Sequence, residues 1–194
     1  MVMALPVEVG TSWYKNTISS LNEYKYEYIE MPSTPAAASR KTAEALGTKL
    51  RNANPRALGC WLSHLRAWSL QNDLNRPIIS LEADTRATMP WTLNDTDWDW
   101  REYDILFLHN HPHQKVRCGT DKIVKVGIDK RYGAGAVLFT GRTPLSSILS
   151  TGLDTSLPID HWFNFMENTH RLKIGTLCPS TFYQEIKKSS QIAA

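Results

Sequence analysis

The sequence lacks any long apolar run. Its longest uninterrupted apolar runs are a few residues, whereas a helix that crosses a bilayer needs roughly 20. The amino-terminal stretch Met1–Leu5 has neither the basic flank nor the full-length apolar core of a signal peptide. We therefore expect no transmembrane segment, no signal peptide and a cytoplasmic location.

The sequence also lacks a large excess of positive or negative charge. The formal net charge is only +3, which is too small to give the electrostatic footprint of a nucleic-acid-binding protein. With 42% hydrophobic and 21% charged residues the composition is that of a globular protein, and 194 residues suffice for one domain with a substantial core. We expect a single domain over residues 1–194 and no nucleic-acid partner.

Cysteine is rare. The three cysteines, Cys60, Cys118 and Cys178, are widely spaced along the chain and odd in number. Disulfide frameworks normally use an even number of cysteines. The cysteine pattern therefore favours free thiols in a reducing compartment over a disulfide framework.

Residues 77–84, Pro-Ile-Ile-Ser-Leu-Glu-Ala-Asp, form an apolar run that ends in two carboxylates. The run is too short for a helix and follows a proline, which favours a buried strand. Residues i and i+2 of a strand point to one face, so Glu82 and Asp84 are expected together at the strand's carboxyl end, where open α/β sheets bind ligands. Two carboxylates suit Mg²⁺ or Mn²⁺. A strand that simply reaches solvent would show the same pattern.

A βαβ unit precedes this strand. Residues 3–10 and 24–31 have strand patterns, and Tyr14, Ile18 and Leu21 between them would share one face of a helix. The loops after both strands are then expected at the same edge of the sheet as the two carboxylates. They contain small residues suited to holding a nucleotide, although turn chemistry is the simpler explanation of any one of them: Gly10, Thr11, Ser12, Pro32 and Ser33.

A helix beginning near Arg56 carries a core stripe that includes Trp61 and Trp68. Ser63 and His64 are adjacent in it, about 100° apart around the axis, so they cannot act on each other as nucleophile and base. A hydrolase is therefore the weaker interpretation. His64 is either a core histidine whose nitrogens are satisfied or a functional group.

Several motifs occur in an order that resembles a known family. Gly-Cys-Trp-Leu-Ser-His at residues 59–64 and Leu-Glu-Ala-Asp at 81–84 are similar to motifs of glycosyltransferase family 25, the lipooligosaccharide and procollagen galactosyltransferase group. That family typically reads Gly-Cys-x-x-Ser-His and then Leu-Glu-Asp-Asp. Later segments resemble its following strands, its Pro-apolar-Asp step and its closing segment: residues 100–108, 135–139, 157–160, Cys178-Pro179 with Gln184, and 189–192. The resemblance covers most of the chain.

The resemblance implies a GT-A fold, a Rossmann-like α/β fold with three layers around a mostly parallel sheet. It implies a metal-dependent, inverting glycosyltransferase that moves a sugar from a nucleotide-sugar, with a UDP-hexose as the expected donor, to a hydroxyl of a glycan or glycoconjugate. Mn²⁺ or Mg²⁺ would be the cofactor, with Glu82 and Asp84 as its ligands.

Ala83 departs from the family pattern, because it stands where the family has a middle acid. A metal site needs only the carboxylates at i and i+2, so the departure does not abolish the chemistry. It does remove a charge that could bind metal or sugar in relatives. The alternative function is therefore a catalytically degenerate module that binds a nucleotide or a glycan without turnover.

Inverting transfer needs a base that deprotonates the acceptor hydroxyl. Asp160 is the candidate, because it lies at a predicted helix start and matches the family's Pro-apolar-Asp step; a helix cap is its structural alternative. His64, in the family's Ser-His motif, is the second catalytic candidate. The other candidates for binding the donor are arginines expected at the phosphates and residues of the two motifs: Arg40, Arg56, Arg66, Ser63, Glu82 and Ala83.

Three histidines alternate in the segment from His109 to His113. Such a cluster could bind zinc or a second metal. A proline interrupts it and no cysteine is near it in sequence, so we expect a polar loop.

Overall fold

The computed structural model describes most of the 194-residue chain: residues 2–6, 11–33, 41, 55–92, 100–109, 123–124, 133–149, 157–169 and 171–184. The predicted site residues Gly10 and Arg40, as well as Cys118 and residues 110–113 of the histidine segment, lie outside the described residues.

The chain begins with a βαβ unit, as predicted. Strand β1 covers Val2–Pro6, helix α1 Ser12–Glu23 and strand β2 Tyr28–Met31. Strand β2 starts later than the alternating pattern from residue 24 predicted, because the chain first turns after α1. Lys25 adopts a positive φ of 57° in that turn, a conformation that ends a helix and is incompatible with a strand.

Helix α2 covers Pro55–Leu74 and leads into strand β3, Ile78–Leu81, and then strand β4, Thr85–Ala87. The remaining elements alternate between short strands and helices. They are a 3₁₀ turn at Trp100–Glu102, β5 Ile105–Phe107, β6 Ile123–Val124, β7 Ala136–Phe139, α3 Leu145–Leu149, α4 Ile159–Asn168, β8 Ile174–Leu177 and β9 Phe182–Gln184.

Seven strands of the described part form one sheet, in the order β2-β1-β3-β7-β5-β8-β6. Strands β1, β2 and β3 are parallel, β5 and β8 are parallel, and β7 pairs antiparallel with both β3 and β5. Five strands therefore run in one direction, and only β7 and β6 run against them. Strands β4 and β9 form a separate antiparallel pair. The prediction of a mostly parallel α/β sheet is confirmed.

Apolar clusters cover both faces of the sheet, which gives the predicted three layers. On one face, Trp61 of α2 packs edge-on against Trp162 of α4 with ring centroids 4.9 Å apart, and Trp68 stacks on Phe139 of β7 at 4.7 Å. On the other face, α1 buries Leu21 against the sheet. The stripe predicted for α2 is thus part of the core.

Two predictions about the environment have different outcomes. No helix of the described chain is long and apolar enough to span a membrane, as expected. The prediction of free thiols is wrong for Cys178, which is disulfide-bonded, while Cys60 is free. An odd number of cysteines does not prevent two of them from pairing when the fold brings them together.

Candidate functional site

Glu82 and Asp84 lie in the turn that follows β3. The turn is closed by the Thr85 backbone N–H, which donates to the Glu82 carbonyl oxygen at 3.0 Å. The two carboxylates converge on one atom, since Gln184 Nε2 donates to Glu82 Oε2 at 2.6 Å and to Asp84 Oδ1 at 3.3 Å. The predicted proximity is therefore found, but the tight turn produces it, and not the alternation of side chains along a strand.

Gln184 reaches the carboxylates because β9 pairs with β4, where its register partner is Thr85. Gly135 allows this approach: a Cβ at that position would lie 2.6 Å from Thr85 Oγ1 and 3.2 Å from Gln184 Cδ. The Gly135 carbonyl also accepts the Glu82 backbone N–H at 2.8 Å. The contact of Gln184 with the two carboxylates, here called the outer side of the pair, thus depends on the absence of a side chain at Gly135.

Ala83 does not face the carboxylate site. Its side chain is only 5% exposed and belongs to the apolar cluster under α1, and its carbonyl oxygen accepts the Thr17 hydroxyl at 2.8 Å. An acidic side chain here would be buried among apolar neighbours, which is costly for a charge. The departure from the family's three acids therefore leaves the geometry of Glu82 and Asp84 intact.

Two side chains of α2 contact Glu82 Oε1, the carboxylate oxygen on the inner side, away from Gln184. The Cys60 thiol donates to Glu82 Oε1 at 3.1 Å, and His64 Nε2 lies 3.6 Å from the same oxygen. The spacing of i and i+4 places Cys60 and His64 on one face of the helix. This spacing is a sequence signal for the cluster, although sequence reasoning alone did not select Cys60.

The electrostatics of the cluster centre on Glu82. Burial by itself raises the pKa of the Glu82 carboxyl, but the neighbouring His64, the Cys60 thiol and His109 together hold the pKa below its ordinary value. Burial, and then the charge and hydrogen bond of Glu82, raise the pKa of the Cys60 thiol well above its ordinary value. Glu82 is therefore the ionised partner and Cys60 the protonated one.

His64 is buried, with 1% of its surface exposed, yet neither ring nitrogen has a hydrogen-bond partner among the described residues. The interpretation of His64 as a core histidine with satisfied nitrogens is therefore wrong. Buried polar atoms are normally hydrogen-bonded, and an exception calls for an explanation such as a ligand.

His109 follows β5 and is fully buried, so the expectation of a polar loop is wrong at this residue. Its Nδ1 accepts the backbone N–H of Ala136 at 3.1 Å. The imidazole thereby ties the end of β5 to β7 and adds to the field around Glu82. Nothing in the local sequence distinguishes His109 from the histidines that follow it.

Asp160 lies in the first turn of α4, but it is not the helix cap, which is Pro158. Its Oδ2 accepts the Gly133 backbone N–H at 2.9 Å and its Oδ1 accepts the His161 N–H at 3.0 Å. Its charge contributes to the raised pKa of Cys60. The carboxylate therefore belongs to the same electrostatic environment as Glu82.

The residues predicted to hold a nucleotide follow the carboxyl ends of β1 and β2, at the edge where β3 also ends, because the three strands are parallel. Pro32 and Ser33 are exposed there. Arg66 of α2 donates through Nη1 to the Pro32 carbonyl at 2.6 Å, which links the second loop to the helix that carries His64.

Thr11 and Ser12 stand at the start of α1 on this edge. Ser63 donates its hydroxyl to the Gly59 carbonyl at 3.0 Å, within its own helix. Arg56 is in α2, but its side chain lies outside the described residues.

A cavity of about 330 Å³ lies at the opposite edge of the sheet, where β3 begins and β7 ends. It contains none of the predicted site residues. The lining residues are Gln71, Asn75, Arg76, Pro77, Trp100, Arg101, Thr140, Gly141 and Arg142.

No protein-family model matches the chain, and a search of the curated proteins finds no relative. Solved structures do share its fold. A protein from STIV is 14% identical, with a TM-score of 0.52 over 96% of this chain and 85% of that one. A glycosyltransferase involved in the glycosylation of the major capsid of PBCV-1 is 12% identical, with a TM-score of 0.52 over 97% of this chain and 94% of that one. At these identities the likeness shows the fold, while membership of glycosyltransferase family 25 stays a prediction.

Proposed function

We propose that the protein is a metal-dependent glycosyltransferase that moves a sugar from a nucleotide-sugar, with a UDP-hexose as the expected donor, to a hydroxyl of a carbohydrate acceptor. The observation that carries the proposal is the convergence of Glu82 and Asp84 on one point at the carboxyl end of β3. In open α/β sheets this edge binds ligands. The shared fold with a glycosyltransferase supports the same reading.

The residues around this point fit a divalent cation. Glu82 and Asp84 supply oxygens from two carboxylates, the ligands that Mg²⁺ and Mn²⁺ prefer. Gln184 now directs its amide nitrogen between them, while its Oε1 is buried without a hydrogen-bond partner among the described residues. Rotation of that amide would add a third oxygen to the set. A cation held there would offset the charge of the departing nucleoside diphosphate.

The protein's own residues have separate roles in this proposal. Thr11, Ser12, Pro32 and Ser33 line the edge where the nucleotide would lie, and Arg66 holds the Pro32 loop in place. Asp160 is the proposed base for the acceptor hydroxyl.

The alternative is a module of the same fold that binds a nucleotide or a glycan without turnover. The contacts of Asp160 favour it, since each carboxylate oxygen already accepts a backbone N–H. A base must release such contacts, or share them, in order to reach an acceptor hydroxyl.

Thermal stabilisation by a panel of nucleotide-sugars, with and without Mn²⁺, tests the proposal. A ligand at 100 times its dissociation constant stabilises the native state by about 2.7 kcal/mol, which is a measurable rise in melting temperature. Because the proposed site binds the donor through the cation, a UDP-hexose should give this rise only when Mn²⁺ is present. Release of UDP in the presence of carbohydrate acceptors then separates an enzyme from a binding module.

Asp84→Asn should keep the fold and lose the Mn²⁺-dependent stabilisation, because an amide carries no charge to offset the cation. Asp73→Asn is the matched control, since Asp73 is exposed on α2. Stabilisation that is independent of Mn²⁺, or unchanged in Asp84→Asn, would contradict the metal assignment.

A further inference from the structure

The inner side of Glu82 presents a second set of donor atoms, which shares Glu82 with the carboxylate pair that faces Gln184. Cys60 Sγ, His64 Nε2 and a Glu82 carboxylate oxygen all lie within 4.8 Å of one another. The two carboxylate oxygens of Glu82 point different ways: Oε1 contacts Cys60 and His64, and Oε2 contacts Gln184.

The two distances from Glu82 Oε1 to the other donor atoms resemble ligand separations around a tetrahedral zinc ion. Zinc binds sulfur, nitrogen and oxygen at about 2.0–2.3 Å, which separates neighbouring ligand atoms by about 3.4–3.6 Å. Here Sγ is 3.1 Å and Nε2 is 3.6 Å from Glu82 Oε1. Shifts of a few tenths of an ångström in these side chains would bring both distances to the tetrahedral value.

His64 supplies an independent indication of a ligand. Its side chain is only 2% exposed, its Nε2 is directed at the cluster, and its nitrogens have no hydrogen-bond partner among the described residues. A buried imidazole without a hydrogen-bond partner costs free energy that a metal bond would recover.

We propose that Cys60, His64 and Glu82 form a binding site for a borderline-soft divalent cation, Zn²⁺. Binding forms one sulfur, one nitrogen and one oxygen bond to the ion, the Cys60 proton leaves to solvent, and no electron is transferred. The thiolate and the carboxylate carry a charge of −2, which the ion neutralises. A thiolate and an imidazole select zinc over Mg²⁺ and Mn²⁺.

Three protein ligands would leave a fourth coordination position on a tetrahedral ion. The Glu82 side chain is 25% exposed, in contrast to His64, so an ion can enter from the side of Glu82 and keep a water or another small ligand. The zinc site does not depend on Asp84 and does not rest on the proposed glycosyltransfer.

Cobalt provides the test, because Co²⁺ replaces Zn²⁺ in such sites and a bound thiolate gives a charge-transfer absorption band. The full-length protein, freed of metal with a chelator, is titrated with Co²⁺ and then with Zn²⁺. We expect a thiolate-to-cobalt band that Zn²⁺ abolishes, since a tetrahedral site with a thiolate and an imidazole favours zinc. Absence of the band overturns the proposal.

Variants identify the ligands. Cys60→Ser should remove the band, and His64→Gln should weaken Zn²⁺ binding by more than the roughly 10–100-fold that loss of an outer-shell partner costs. If circular dichroism shows that His64→Gln does not fold, the cobalt band of Cys60→Ser alone decides whether the site exists. A band that persists in Cys60→Ser assigns the thiolate elsewhere and overturns the proposal.

Asp84→Asn distinguishes the two cation sites. It should keep the cobalt band and the Zn²⁺ affinity while it loses Mn²⁺-dependent donor binding. Loss of the cobalt band in this variant would mean that the outer carboxylates hold the ion, and the zinc site would be refuted whatever the result for Mn²⁺.

Discussion

Gly135→Ala is expected to disturb the carboxylate site through steric contact alone. The added Cβ would meet Thr85 Oγ1 at 2.6 Å and Gln184 Cδ at 3.2 Å, whereas heavy atoms pack best at about 3.5–4.0 Å. Both neighbours must therefore move away from Gly135. Because Gln184 bridges Glu82 and Asp84, its movement should also change the outer cation site.

The expected loss of stability follows from these contacts. Overpacking of this kind costs about 1–3 kcal/mol, and the reduced freedom of the unfolded chain returns about 0.4–1 kcal/mol. At the midpoints of these two ranges, urea unfolding should show a net loss of about 1.3 kcal/mol in the unfolding free energy. Mn²⁺-dependent stabilisation by the nucleotide-sugar should fall in the same variant.

Thr85 allows the cause to be isolated. Its Oγ1 is buried and has no hydrogen-bond partner among the described residues, so Thr85→Ala removes the closest clashing atom without breaking a hydrogen bond. In the double variant with Gly135→Ala, the loss of unfolding free energy should be roughly 0.5–3 kcal/mol smaller than the sum of the two single losses. Thr85→Val is the matched control, because it keeps a branched side chain. Strictly additive losses, or wild-type stability of Gly135→Ala, would refute the steric reasoning.

Three further predictions concern the core, the proposed base and the central carboxylate. Trp61→Ala and Trp68→Ala should each lower the unfolding free energy by about 3–5 kcal/mol, whereas His64→Ala should reduce transfer more than stability; equal drops in melting temperature would make His64 structural. Asp160→Asn should bind donor normally and transfer about 10²–10⁴-fold more slowly, and wild-type transfer would exclude it as the base. Because the folded pKa of Glu82 is lowered, its contribution to stability is present above about pH 4.3, the unfolded value, and is lost as the pH falls through the folded pKa. Glu82→Gln should reduce the loss of unfolding free energy at acidic pH, measured by urea unfolding at several pH values. An unchanged pH dependence would contradict the lowered pKa.

Local patterns in the sequence were sufficient for the architecture near the site. The alternation of strand, helix and strand predicts parallel β1 and β2, and the apolar run before Glu82 predicts a buried β3; the structure confirms both. The stripe of Trp61 and Trp68 predicts a buried face of α2 for the same reason. These features depend on residues close together in the chain, where the periods of helices and strands determine which side chains share a face.

Local patterns also failed where the backbone departs from a regular element. Strand β2 was predicted to begin at residue 24, but a turn at Lys25 delays it to Tyr28. Glu82 and Asp84 were placed together by strand alternation, and a turn brings them together instead. A turn and a strand with the same residues at i and i+2 cannot be separated by composition alone.

The sequence by itself determined the layered α/β fold, the helix that carries Cys60 and His64, and the strand that ends at Glu82. Only the tertiary structure decided that Gln184, 102 residues further along the chain, lies between the carboxylates, and that the two sides of Glu82 have different neighbours. The physical reason is that these contacts depend on the pairing of β9 with β4 and on the packing of α2 against β3. No local period encodes the register between distant elements, which is set by the side chains that the whole core can accommodate.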